Sequence, residues 1–184
     1  WQQGHVVISR IFLGSDVAGT YNLAILFTAS VSLIPSILFS KYYLPMIHRM
    51  IASDLNALKK FVLKSTLIFF ILGIIATVLI TSCIDIVASF LLSKEYQDVP
   101  DIIKLIVLTL PMRFAGYAIG SILATEKLVM FKLKILLILT ILNFLGAIIF
   151  SQEYGLRAFA ISICLTEFFL VVIYAAKVWI YLQR

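Results

Sequence analysis

Acidic side chains, cysteines and prolines are all scarce in this chain, and each scarcity excludes something. Nine Asp and Glu stand against fifteen Lys and Arg, and charged residues make up 13% of a chain that is 62% hydrophobic, with a mean hydropathy of +1.10. No water-soluble domain of this length carries such a balance, so the composition reads as an integral membrane protein. A net charge of +6 would suggest nucleic acid in a soluble chain. Here the basic residues stand in short connections beside apolar runs, where they set orientation, and no nucleic-acid partner is implied. Cys83 and Cys164 are the only cysteines, with no CxxC and no neighbouring His. A metal or redox centre is therefore not expected, nor any cofactor, and both cysteines read as small apolar side chains. No basic-then-apolar signal peptide opens the chain. The first apolar run, residues 5–13, is too short to cross a bilayer, so residues 1–13 read as the end of a truncated helix.

The remaining apolar runs predict five full spans, at about residues 21–39, 65–82, 105–124, 135–150 and 158–181. The expected fold is an all-α, multi-span helical bundle. In the first span Thr28, Ser32, Ser36 and Ser40 recur every four residues as a hydroxyl stripe, and Pro35 interrupts the backbone ladder. The stripe either bonds carbonyls one turn back or lines a cavity. Residues 41–64 are amphipathic and basic and predict an interfacial helix running into the second span. The second span holds Gly73 and no charge, and reads as structural. Residues 83–104 form an acidic connection with Asp85, Glu95, Asp98 and Asp101 against Lys94 and Lys104. In the fourth span Asn143 is expected to hydrogen-bond between helices.

The third span carries the strongest functional signal, because Pro111 and Arg113 fall near its middle. Proline cannot donate to the carbonyl of Val107, and arginine at membrane depth needs an anionic partner, a bundle interior or a wet cavity. Thr109, Gly116, Tyr117, Gly120 and Ala124 share its helical face, so Arg113 lies on a small, polar stripe. Gly116 and Gly120 also form a GxxxG pair suited to close helix packing. Glu167, near the middle of the last span, is the second intramembrane charge. Protonation, pairing with Arg113 and exposure to a cavity all remain open for it.

Ten of the fourteen basic residues outside the membrane centre lie on one side: Lys41, Arg49, Lys59, Lys60 and Lys64, then Lys127, Lys132 and Lys134, then Lys177 and Arg184. That side is predicted to be cytoplasmic, which puts the C-terminus there and the acidic connection outside.

Four stretches in this order carry a family likeness: DVAGTYNLA, the YYLP after the first span, FLLSKEYQDVPDIIKLIVLTLP ahead of Arg113, and EYGLRAFAISICLTE. With them the chain resembles the C-terminal half of a Wzx-type polysaccharide flippase, within the multidrug, oligosaccharidyl-lipid and polysaccharide exporter superfamily. The resemblance implies one six-helix lobe of a MATE-like two-lobe transporter in the bacterial inner membrane, with the N-terminal lobe missing from this chain. It implies transport by alternating access of an oligosaccharide linked through diphosphate to a polyprenyl lipid, for O-antigen or other surface polysaccharide, coupled to a proton or sodium gradient. No covalent step is implied, and the chain is not expected to be an enzyme. Arg113 would meet the diphosphate, since the planar guanidinium binds phosphate oxygens in pairs. Tyr117, Asn143, Ser32 and Ser36 would face sugars, with Glu167 an internal ion pair or the coupling group. A drug or ion-coupled exporter of the same superfamily has the same outline. An intramembrane polymerase or acyltransferase is disfavoured, because the longest external connection is short and holds no His or paired basic motif.

Overall fold

The computed structural model describes residues 2–91, 98–125 and 128–183, and these are helical with no strand among them. Lys94, Glu95 and Lys127, and with them the middle of the acidic connection, lie outside the described residues. The helices are α1 (Gln2–Leu13), α2 (Ser15–Leu38), α3 (Leu44–Ser53), α4 (Leu55–Leu91), α5 (Val99–Val107), α6 (Leu110–Ile122), α7 (Val129–Tyr154) and α8 (Leu156–Leu182). Four stretches are long and apolar enough to cross a membrane: Ser15–Ile51, Leu55–Phe90, Val129–Tyr154 and Leu156–Leu182. A fifth is the pair α5 and α6, bent by 42°. The helices thus fit a membrane protein; the predicted spans overlap these stretches, with the third, 105–124, running two residues past the end of α6.

The expected interfacial helix over residues 41–64 is corrected by the structure, which divides that segment between two longer helices. Its first half prolongs α2 through a π turn, Phe39–Tyr43, into α3. The turn stands just ahead of Pro45, which has no N–H for the ladder, and the Leu44 N–H bonds the Phe39 carbonyl instead. The break comes at Asp54, whose backbone is extended. Its carboxylate accepts the N–H groups of Asn56 at 2.8 Å and Ala57 at 3.0 Å, which satisfies two orphan donors and starts α4. At the other end of the bundle Gly155 adopts φ +55° and ψ −133°, a conformation that favours glycine, and so folds α8 back along α7.

The predicted single helix around Arg113 is also corrected, because it is broken ahead of Pro111. Leu108 and Thr109 leave the α-helical ladder, and three backbone carbonyls need other partners. Thr109 closes the turn by donating its N–H and its hydroxyl to the Ile106 carbonyl, at 3.0 and 2.7 Å. Thr77 of α4 donates its hydroxyl to the Val107 carbonyl at 2.8 Å, the acceptor that Pro111 cannot serve. Cys164 of α8 donates its thiol to the Leu105 carbonyl at 3.5 Å, a polar role beyond the apolar one expected of it. Irregular backbone at membrane depth persists only when it is satisfied by protein in this way. Gly73 lets Thr77 reach across. A Cβ at position 73 would stand 2.5 Å from the Pro111 Cα and 2.8 Å from the Leu110 carbonyl oxygen, so α4 and α6 touch backbone to backbone.

Two apolar clusters make the core. One gathers Tyr21, Ile25, Ile106, Leu110 and Phe159 from α2, α5, α6 and α8; the other gathers Ile47, Leu58, Ile122, Leu123 and Tyr174 from α3, α4, α6 and α8. Helix α1 packs through one face: His5 is inaccessible, shares a 2.9 Å hydrogen bond between Nδ1 and the Tyr21 hydroxyl, and meets the Phe159 ring edge-on at 5.3 Å. Many outward side chains of α4 and α7, including Leu67, Leu79, Leu137 and Ile149, are large, apolar and exposed, as a lipid-facing surface requires.

Candidate functional site: a charged cavity between α2, α6, α7 and α8

An open cavity of about 920 Å³ lies between α2, α6, α7 and α8. Each helix contributes a stripe set by helical spacing. From α6 come Arg113, Gly116, Tyr117, Gly120 and Ala124; from α8 come Glu167, Leu170 and Tyr174; from α7 come Lys132, Leu136 and Thr140. Ser32, Ser36 and Ser40 face in from α2.

Arg113 and Glu167 meet. The arginine Nε donates to Glu167 Oε1 at 3.1 Å, and both side chains are 8% exposed. The pair closes a contact across 54 residues of sequence and ties α6 to α8. Its two charges cancel, which lowers the cost of holding either at membrane depth.

Lys132 is the cavity cation that spacing alone did not single out. It stands in the first turn of α7, where a positive charge opposes the helix dipole. Its Nζ donates to the Gly120 carbonyl at 3.0 Å, one of the last carbonyls of α6 and so without an intrahelical partner. Tyr174 flanks Gly120 on the same side, and its buried hydroxyl has no hydrogen-bond partner. Arg113, Lys132 and Glu167 are the charged residues among the described lining, so the wall carries one net positive charge.

The remaining sequence candidates divide. Ser32 and Ser36 reach the wall while their hydroxyls donate to the carbonyls of Thr28 at 3.0 Å and Leu33 at 2.9 Å, which leaves acceptor lone pairs toward the cavity. Tyr117 lines the cavity and stacks on Phe39 at 6.3 Å. Thr28 and Thr109 lie outside the lining, both bonded to backbone carbonyls. Asn143, expected to face sugars, is corrected: it is buried outside the cavity lining, and its Nδ2 donates to the Ser162 carbonyl at 2.8 Å and the Thr166 hydroxyl at 2.6 Å. It lies about one turn beyond Thr140 along α7, past the end of the cavity lining, and there it joins α7 to α8. A signal for Lys132 was present in the sequence, since Lys132, Leu136 and Thr140 repeat every four residues.

The chain matches no protein-family model, and comparisons with curated proteins and with solved structures likewise find no match.

Proposed function

We propose that this chain forms one lobe of a flippase that moves a polyprenyl-diphosphate-linked oligosaccharide across the bacterial inner membrane. The observation that carries the reading is the cavity itself: about 920 Å³ of space between membrane helices, walled by hydroxyls and small residues and bearing one uncompensated cation. Sugars and a diphosphate cannot cross hydrocarbon, because their hydroxyls and charges would lose their water without replacement. Ser32, Ser36, Ser40, Thr140 and Tyr117 offer substitute partners for hydroxyls. Lys132, with two donors left after its bond to Gly120, offers them for a phosphate oxygen. Arg113 holds the wall in register through Glu167. The order of the four family-like stretches supports the same reading. In it, the cytoplasm lies on the side of Lys41, Lys59, Lys132 and Lys177, and a second lobe completes the transporter.

A coupled exporter of another solute is the second reading, favoured by a single observation: Glu167 lies on the cavity wall, where protonation would release Arg113. Deleting the gene separates the two. Loss of surface polysaccharide, with lipid-linked glycan accumulating on the inner leaflet, is the expected result. Intact surface glycan together with altered sensitivity to toxic cations would reject the flippase and favour the exporter.

A further inference from the structure

We propose that a second groove, on the opposite face of α6 from the cavity, binds one acyl chain of an anionic phospholipid whose headgroup rests at Lys59. This site stands apart from the transport reading. The groove has a volume of about 370 Å³ and lies between α4, α6 and α8. Its floor is Met112, Ala115 and Ile119, a stripe of α6 at i, i+3 and i+7 that faces away from Arg113 and Tyr117.

Length identifies the occupant. The α4 wall runs from Lys59 to Phe70 and the α8 wall from Val171 to Leu182. At about 1.5 Å per residue each wall extends about 16 Å, half of a hydrocarbon core about 30 Å thick. The groove therefore spans a single leaflet, from mid-depth to the end of the bundle where lysines collect. A segment of protein crossing the bilayer would need twice that length.

Polarity orients it. Among the described residues the lining is apolar except for Lys59 and Thr66, with no acidic side chain. Lys59 stands at the groove's outer end with its Nζ 4.6 Å from the centre of the Trp179 ring, and the indole belongs at the headgroup level of a membrane. Lys60 and Lys64 are exposed on the same turns of α4, so positive charge accumulates at this mouth and selects an anionic headgroup. Thr66 lies about two turns deeper, and its buried hydroxyl has no hydrogen-bond partner among the described residues.

The test uses the purified chain in detergent and native mass spectrometry, with phosphatidylglycerol and phosphatidylcholine of the same acyl composition as probes. The native chain is expected to retain phosphatidylglycerol several-fold over phosphatidylcholine. Ala175→Trp, which fills the groove from its exposed α8 side, should abolish retention of both. Lys59→Met, similar in length but uncharged, should keep acyl binding and lose the preference for phosphatidylglycerol. Leu137→Trp, on the exposed outer side of α7, should behave as the native chain. Equal retention of the two lipids by the native chain, or native retention by Ala175→Trp, would overturn the proposal; so would loss of retention in Leu137→Trp equal to that in Ala175→Trp.

Discussion

Replacing Glu167 by glutamine removes one charge while keeping the shape and an acceptor oxygen for Arg113 Nε. The arginine then lacks the carboxylate that neutralises it here, while its side chain stays 8% exposed among apolar helices. Breaking a buried pair from one side costs about 3–5 kcal/mol in soluble proteins. The cavity borders this pair and solvates it in part, so the lower end, about 3 kcal/mol, is the expected loss. Arg113→Gln leaves a carboxylate in the same place, which can take up a proton, and should cost less. Glu167→Gln combined with Arg113→Gln restores neutrality with two amides able to bond each other, so the double variant should be more stable than the sum of the singles predicts, by about 1–3 kcal/mol, the usual coupling for residues in contact. Melting temperatures of the four proteins in one detergent, read by intrinsic fluorescence and set beside their amounts in the membrane, measure this. At about 2–4 °C per kcal/mol for a chain of this size, Glu167→Gln should melt roughly 6–12 °C lower. Simple additivity of the two singles would refute the pairing as an energetic unit, whatever its geometry.

Two further outcomes test the fold. Gly73→Ala should destabilise the chain by more than 1 kcal/mol, because the new Cβ meets the Pro111 backbone at 2.5 Å and backbone does not yield cheaply. Gly19→Ala, with open space around its Cβ, should instead be neutral or stabilising by about 0.5–1 kcal/mol in the same melting assay. For orientation, in a Cys83→Ala background an impermeant maleimide applied to intact cells should label Gln152→Cys and spare Asn56→Cys, both exposed positions at opposite ends of the bundle. The reverse pattern would place the lysine-rich end outside.

The spans were legible because a run of about 20 apolar residues has few other uses. The stripe of Arg113, Gly116, Tyr117 and Gly120 was legible too, since helical periodicity alone puts those residues on one face. What the sequence withheld depends on neighbours. Pro111 marked a weakened ladder, but the break at Leu108 and Thr109 exists because Thr77 and Cys164 accept the task of bonding freed carbonyls, and nothing local announces residues 30 and 59 positions away in sequence from those carbonyls. Asn143 has the polarity and the helical face of a cavity residue, yet it lies one turn beyond the cavity along α7, where it meets Ser162 and Thr166. Lys132 read as one more orienting charge because only the packed end of α6 shows which carbonyl it meets. The break at Asp54 rests on a cap whose two hydrogen bonds are short-range, and an Asp followed by a helical run was a usable sign of it.

The separation of Arg113 from Glu167 also shapes how the chain must be made. At about 5–20 residues per second the carboxylate is synthesised some 3–11 s after the arginine it neutralises. During that interval Arg113 exists and Glu167 does not. An insertion machinery that released each segment into lipid on completion would place the arginine in hydrocarbon without this carboxylate. Biosynthesis therefore favours retaining the Arg113 segment beside the translocation channel, or leaving it near the headgroups, until α8 arrives.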